Sequence, residues 1–159
     1  MATSKVAKWV GILTMLAGAL LIVVGGITWG VITSQLKQER ITISADADWF
    51  PGRQVTGPLT AYSQAQVIQA HAMKSSDGLS YAELGAKATE ARNAGNIELA
   101  DELTKIRTSV MNGSLLRGSL FTSVLAYGVA AFAAGVGVVF LLVGFALQRP
   151  LVANTVSSE

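Results

Sequence analysis

Two long uncharged stretches dominate the hydrophobic pattern of the chain. The first runs from Trp9 to Leu36 and the second from Gly118 to Gln148. A bilayer core about 30 Å thick needs roughly 20 apolar residues in a helix, and both stretches exceed that length. Trp9 and Trp29 also have the separation expected for the two aromatic belts of one membrane-crossing helix. The pattern therefore predicts transmembrane helices over residues 9–34 and 118–148.

A cleaved signal peptide is the main alternative for the first stretch. Its apolar region normally spans only about 7–15 residues and ends close to an A-x-A-like site. The nearest such site here, Ala45-Asp46-Ala47, lies well beyond the stretch. We therefore interpret the first stretch as a retained membrane span.

The segment between the spans has a different, mixed pattern. "ITIS" at 41–44 predicts a short strand, and "FPGRQVTGP" at 50–58 predicts a turn-rich connection. A helix capped by Thr60 is predicted to run to about Lys74. A second helix begins at the S-x-x-E capping box of Ser80 and Glu83.

A third helix is predicted between Gly95, which suits the end of the second helix, and the second span. Asn96 suits its N-cap. Its apolar positions recur at helical spacing: Ile97, Ala100, Leu103, Ile106 and Val110. This helix is predicted to join the second span with only a weak break at Gly113. The predicted fold is all-α, with two transmembrane helices joined by a small helical domain over residues 35–117.

Charge affects mainly the predicted topology. Lys5 and Lys8 precede the first span, whereas positive charges on the loop side roughly balance the count. Because long loops translocate largely regardless of charge, the short N-terminus is predicted to be cytoplasmic. We thus expect a multi-pass protein of the cell membrane, with residues 1–8 and the tail 149–159 cytoplasmic and 35–117 extracytoplasmic.

Few residues have the chemistry of a catalytic or metal site. The chain has one histidine, His71, and no cysteine, and the predicted spans contain no ionisable residue. The D-x-D of Asp46 and Asp48 is the one pattern that could hold a metal, as in a glycosyltransferase, and it supports only a weak enzyme hypothesis. We expect no catalytic residue, cofactor, metal or small-molecule substrate. The net charge of +2 and the lack of a basic cluster give no indication of nucleic-acid binding.

The spans are unusually rich in glycine. Gly11, Gly18 and Gly25 repeat every seven residues, which forms a narrow stripe suited to a left-handed helix crossing, and Gly26 and Gly30 form a G-x-x-x-G on a neighbouring face. Small residues let membrane helices approach closely, so the glycines predict helix-packing interfaces.

The second span carries small residues on two sides. Gly128, Ala131 and Gly135 share one side, whereas Gly137 and Gly144 lie on the other. One side is predicted to contact the first span and the other a different membrane protein. The sequence does not decide which side has which role, and frequent glycine is also an ordinary property of membrane helices.

Trp49 and Phe50 stand next to a Pro-Gly turn in the outer segment. Tryptophan is enriched at interface hot spots and at the lipid headgroup region. Both a partner contact and a membrane anchor remain open for this pair.

Three segments carry a resemblance to a known family: "ITWGVITSQL" at 27–36, "GPLTAYSQAQVIQAHAM" at 57–73 and "SLFTSVLAYGVAAF" at 119–132. With the two-span layout, they resemble a family of small actinobacterial membrane proteins often called aromatic ring-opening dioxygenases. Such dioxygenases hold iron with two histidines and a glutamate, which one histidine cannot supply. The resemblance instead implies an accessory component of the respiratory supercomplex that joins a cytochrome bcc complex to an aa3-type cytochrome c oxidase.

The sequence thus predicts a non-catalytic membrane subunit whose partners are the lipid bilayer and other membrane proteins. Respiratory complex subunits are the most specific partners, with an assembly or stabilising role. The alternative is an extracytoplasmic sensor or binding module anchored by two helices.

Overall fold

The computed structural model describes residues 5–149 and places most of them in four helices. The helices are α1 (Lys5–Gln38), α2 (Pro58–Ser75), α3 (Tyr81–Asn93) and α4 (Ile97–Gln148). Two of them, α1 with 34 residues and α4 with 52, are long and apolar enough to cross a membrane. The prediction of an all-helical chain with two potential spans is confirmed at this level.

Local signals explain where the shorter helices begin and end. The Ser80 hydroxyl accepts from the Glu83 amide, and the Glu83 carboxylate accepts from the Ser80 amide at 2.8 Å, so the predicted capping box is present. Gly95, at φ +78°, follows the end of α3 in the left-handed region that glycine adopts most readily. The side chain of Asn96 accepts from the Leu99 amide at 3.1 Å and caps α4 as predicted.

Three local predictions are wrong. "ITIS" forms no strand, only an isolated antiparallel bridge between Thr42 and Gln54. Thr60 is not the N-cap of α2: the helix begins at Pro58 after Gly57, and the Thr60 hydroxyl reaches back to accept from the Gly57 amide at 3.0 Å. The third predicted helix does join the second span, but without the weak break expected at Gly113, since α4 runs uninterrupted from Ile97 to Gln148.

The described residues fall into two compact units. The helix-pair unit comprises the residues up to Val31 and those from Ala126 onward, and the middle unit comprises Ile32–Leu125. In the helix-pair unit, α1 and α4 pack as an antiparallel pair, since Gly11, Gly18 and Gly25 meet Gly144, Gly137 and Ala130 in that order.

The middle unit has a small buried core. Its most buried large side chains are Ile43, Val55 and Leu84, each at most 1 % exposed. Small residues from the helices complete it: Ala61, Ala65, Ala88, Ala91 and Ala100. Of the apolar positions predicted for α4, Ala100 and Val110 are buried, whereas Ile97 is 53 % exposed. Ile97 is the first residue of α4.

Candidate functional site

The glycines of the helix-pair unit form a tight seam between α1 and α4. A Cβ atom added at Gly18 would lie 2.6 Å from the carbonyl oxygen of Gly137, and one added at Gly137 would lie 2.6 Å from that of Gly18. Gly11 and Gly144 face each other in the same reciprocal way, at 2.8 and 2.6 Å. Contacts below about 3 Å leave no room for a side chain, so the two backbones touch directly along this seam.

Gly25 extends the seam by one more heptad. Its added Cβ would lie 2.7 Å from the Ala130 carbonyl oxygen. Four residues further along α1, Trp29 meets Tyr127 edge-on, with ring centroids 4.6 Å apart. Tyr127 is 1 % exposed and is the largest fully buried side chain among residues 5–149. The seam therefore ends in an aromatic pair, which the sequence alone does not predict because the pairing depends on the register between two helices distant in sequence.

The remaining predicted packing residues lie on open helix surface. An added Cβ would meet nothing within 4 Å at Gly26, Gly30, Gly128 or Gly135, and Ala131 is exposed. At about 100° per residue, Gly128, Ala131 and Gly135 are turned roughly 100–180° away from Ala130, Gly137 and Gly144. The structure thus assigns the Gly137/Gly144 side of α4 to its own first helix and leaves the Gly128/Gly135 side uncovered.

The middle unit contains a half-open cavity of about 320 Å³ between the loop after α1 and helix α2. Its lining comprises Asp46, Asp48 and Trp49 from the loop and Tyr62, Ser63, Gln66, Val67 and Ala70 from α2. The loop is held against α2 by two hydrogen bonds: the Ser63 hydroxyl donates to the Trp49 carbonyl at 2.5 Å, and the Ser44 amide donates to Gln64 Oε1 at 3.2 Å.

Trp49 and Phe50 occupy different environments. Trp49 is 59 % exposed and forms part of the cavity lining. Phe50 is half-buried, lies at φ +58° and carries the Arg53 guanidinium 5.5 Å from its ring centroid. A positive φ is uncommon for an aromatic residue. Because Trp49 is exposed and Phe50 is half-buried, Trp49 is the member of the pair that is available to a ligand, a partner or lipid.

His71 and Asp46 form a pair that the sequence alone did not reveal. His71 Nε2 lies 2.7 Å from Asp46 Oδ2, although the two residues are 25 positions apart. This hydrogen bond, supported by one from the backbone of Asp46, holds the pKa of the Asp46 carboxyl below its ordinary value. The pair is largely exposed, with 51 % and 66 % of the side chains accessible, so solvent screens it.

No cluster of metal ligands accompanies these residues. Within residues 5–149, no group of three or more His, Cys, Asp or Glu side chains converges on one point. Asp46 and Asp48 both line the cavity, but one of them is bonded to the single histidine. The arrangement offers two carboxylates beside aromatic rings rather than the enclosed ligand set of a metal centre.

The chain was compared with known protein families, proteins and structures. No protein-family model, curated protein or solved structure matches the chain.

Proposed function

We propose that the protein is a non-catalytic membrane subunit that binds a larger membrane protein through the uncovered Gly128/Gly135 side of α4. The observation that carries this proposal is the asymmetry of α4. Gly137 and Gly144 are buried against the chain's own α1, whereas an added Cβ at Gly128 or Gly135 would meet nothing within 4 Å and Ala131 is exposed.

The physical argument rests on what drives helix association in lipid. Lipid tails are as apolar as leucine side chains, so apolar burial contributes little, and close backbone approach becomes the main source of attraction. The seam of α1 and α4 shows this packing mode at work inside the same molecule. A second smooth surface on α4 allows the same approach by a helix of another protein.

The predicted spans also lack the groups that a transporter needs. Residues 9–34 and 118–148 contain no Asp, Glu, Lys, Arg or His, and intramembrane ionisable residues normally mark ion and proton paths. A packing role is compatible with such spans. The most specific version of the proposal is an accessory subunit that aids the assembly or stability of the bcc–aa3 respiratory supercomplex. It rests on the resemblance of residues 27–36, 57–73 and 119–132 to the actinobacterial membrane-protein family.

A pair of leucine substitutions tests the proposal. Gly135→Leu adds bulk to the uncovered side of α4, and Gly137→Leu adds the same bulk to the seam. We expect Gly135→Leu to keep normal levels in the membrane but to lose most co-purifying membrane proteins in a gentle detergent. Gly137→Leu should lower the level of the chain itself. Full partner recovery with Gly135→Leu contradicts the proposal, and absence of haem absorbance in the wild-type preparation contradicts the respiratory version.

The proposed location is the cell membrane with both termini in the cytoplasm. Lys5 and Lys8 before the first span support it through the positive-inside rule. The chain has no cysteine, so single thiols can be probed with an impermeant maleimide on intact cells. Ser75 is exposed, whereas its neighbour Ser76 is only 3 % exposed and unsuited to labelling. Ser75→Cys should be labelled and Ser157→Cys, in the tail outside the described residues, should not; the reverse pattern inverts the topology.

The non-catalytic part of the proposal has its own test. His71 is the one side chain whose ordinary pKa lies near neutrality, and its bond to Asp46 is exposed. His71→Gln should therefore leave partner recovery and cellular function intact. Loss of function in a normally inserted His71→Gln protein would favour an enzyme instead.

The cavity beside Trp49 favours a second candidate function, an extracytoplasmic binding module. Ligand sites are typically concave and of roughly 300–1,000 Å³, and the cavity volume of about 320 Å³ lies at the lower end of that range. This function and the packing function use different residues and can coexist in one protein.

A further inference from the structure

We propose that the cavity beside Trp49 binds an organic ammonium group, either of a lipid headgroup or of a free small amine. The inference rests on the second candidate function above and is independent of the helix-packing function, because all residues that carry it belong to the middle unit.

The charges of the cavity select a cation. Asp46 and Asp48 are its charged lining residues, and no basic side chain among the described residues lines it. Asp46 is already engaged by His71, whereas Asp48 makes no hydrogen bond or ion pair within residues 5–149. Arg53, the nearest cation along the loop, lies over the Phe50 ring instead. Asp48 is therefore the lining carboxylate without an ion-pair partner among residues 5–149.

Aromatic rings narrow the class of cation. Trp49 and Tyr62 both line the cavity, and the faces of such rings attract ammonium groups, quaternary ones included. The Tyr62 ring is held by Phe121, edge-on with centroids 5.9 Å apart, and its hydroxyl accepts from Gln66 Nε2 at 2.7 Å. A carboxylate next to aromatic walls is the combination that recognises an alkylated nitrogen rather than a hydrated metal ion.

The number of oxygen ligands argues against a bare metal. Calcium takes about 6–8 oxygen ligands, but the cavity offers two carboxylates and no third acidic residue. An organic ammonium ion needs fewer polar contacts because its methyl or methylene groups pack against apolar atoms. Val67 and Ala70 supply such atoms in the lining.

The wall that carries these groups is fixed before a ligand arrives. Ser63, 5 % exposed and part of the cavity lining, donates its hydroxyl proton to the Trp49 carbonyl and so ties the loop to α2. Beyond Trp49, the Gly52 amide donates to the Ile43 carbonyl at 3.0 Å and the Ile43 amide to the Arg53 carbonyl at 2.9 Å. A loop tied in this way loses little freedom on binding.

Two sources could supply the ammonium group. Tyr62 contacts Phe121, which lies near the start of the predicted second span, so an ethanolamine or choline headgroup could reach the cavity from the lipid surface. A free amine from outside the membrane would present the same chemistry. The experiment below distinguishes the two.

The test uses the purified full chain in a maltoside detergent, which contains no amine. Choline and ethanolamine are titrated by calorimetry, with 3,3-dimethylbutan-1-ol as the neutral counterpart of choline. We expect saturable binding of the two cations and none of the alcohol. Asp48→Asn should weaken choline binding by about tenfold or more, and Asp77→Asn, which removes an exposed carboxylate outside the lining, should leave it unchanged.

A lipid arm identifies the source. The chain is placed in nanodiscs of phosphatidylglycerol, with or without phosphatidylethanolamine, and ethanolamine is titrated again. Weaker apparent binding only when phosphatidylethanolamine is present supports the headgroup source, and equal binding in both supports the free amine. Absence of saturable cation binding, equal binding of the neutral alcohol, or unchanged choline binding by a folded Asp48→Asn protein overturns the proposal. None of these outcomes depends on partner recovery, so the packing function is tested separately.

Discussion

The two units of the molecule are packed in opposite ways. In the helix-pair unit, large apolar side chains such as Leu13 and Leu20 are more than 60 % exposed, and the buried positions belong mainly to glycine and alanine. The middle unit also exposes some leucines, such as Leu59 at 63 %, but it has a core of large apolar side chains, such as Ile43 and Val55, that are at most 1 % exposed. Lipid tails are as apolar as leucine, so the exposed leucines suit the proposed membrane spans, whereas burial of apolar side chains is the main favourable term for folding in water.

This contrast also separates the two kinds of cohesion. The seam depends on the absence of side chains, since each added Cβ would clash with a carbonyl oxygen. The stability of the middle unit depends instead on a few large buried side chains and on the capped ends of its helices. Adding a side chain should therefore destabilise the seam, whereas removing a large side chain should destabilise the middle unit.

The largest effect is expected at the seam. Gly18→Leu places a side chain where a Cβ alone would lie 2.6 Å from the Gly137 carbonyl oxygen. We expect the helix pair to separate, with a destabilisation of about 3 kcal/mol or more, measured as a lower melting temperature in detergent and a lower level in the membrane. Gly26→Leu, where an added Cβ meets nothing within 4 Å, is the control. Equal melting of Gly18→Leu and wild type would show that the seam does not hold the pair.

A somewhat smaller effect is expected in the core of the middle unit. Leu84→Ala removes a side chain that is 1 % exposed and leaves a cavity beneath α3. We expect a loss of about 2–3 kcal/mol, the lower part of the usual range because a short helix can shift inward, measured by chemical denaturation followed by circular dichroism. Leu99→Ala, at a position 42 % exposed, should cost far less. Similar costs for both variants would mean that the middle unit lacks a packed core.

The capping box of α3 should contribute less to the stability of the middle unit than the buried Leu84 side chain does. Ser80→Ala removes the hydroxyl that accepts from the Glu83 amide, and losses of such caps cost about 1 kcal/mol. The first turn of α3 should then exchange its amide hydrogens faster, which exchange measurements followed by mass spectrometry can detect. Ser109→Ala, at an exposed position within α4, should not change exchange in α3. If the amide exchange of α3 is the same in both variants and in the wild type, the capping box does not stabilise the start of α3.

The smallest effect is expected for the Asp46–His71 pair, because it is largely exposed. The hydrogen bond from His71 lowers the pKa of Asp46 in the folded state. The resulting stability is present above the unfolded pKa of about 3.9 and is lost as the pH falls through the lower folded value. Asp46→Asn should therefore melt slightly below wild type at pH 7, and the gap should close at more acidic pH. A gap that widens on acidification contradicts this assignment.

The sequence predicted the elements better than it predicted their contacts. Capping signals at Ser80, Gly95 and Asn96 are local, since each acts within one turn of the chain, and the structure has all three. The strand expected at "ITIS" failed for the opposite reason, because a strand needs a partner and the loop offers only the single bridge from Thr42 to Gln54. Thr60 failed as an N-cap because Gly57 and Pro58 start the helix one turn earlier.

The sequence by itself determined that this chain has two long apolar helices, a mixed segment between them and two small-residue sides on the second helix. These properties follow from composition and periodicity along one chain. Only the tertiary structure decided that the Gly137/Gly144 side meets α1, that Trp29 meets Tyr127, and that Asp46 bonds to His71 beside a cavity under Trp49. Each of these joins residues far apart in sequence, and their pairing depends on helix register and loop path, which no periodicity within a single segment specifies.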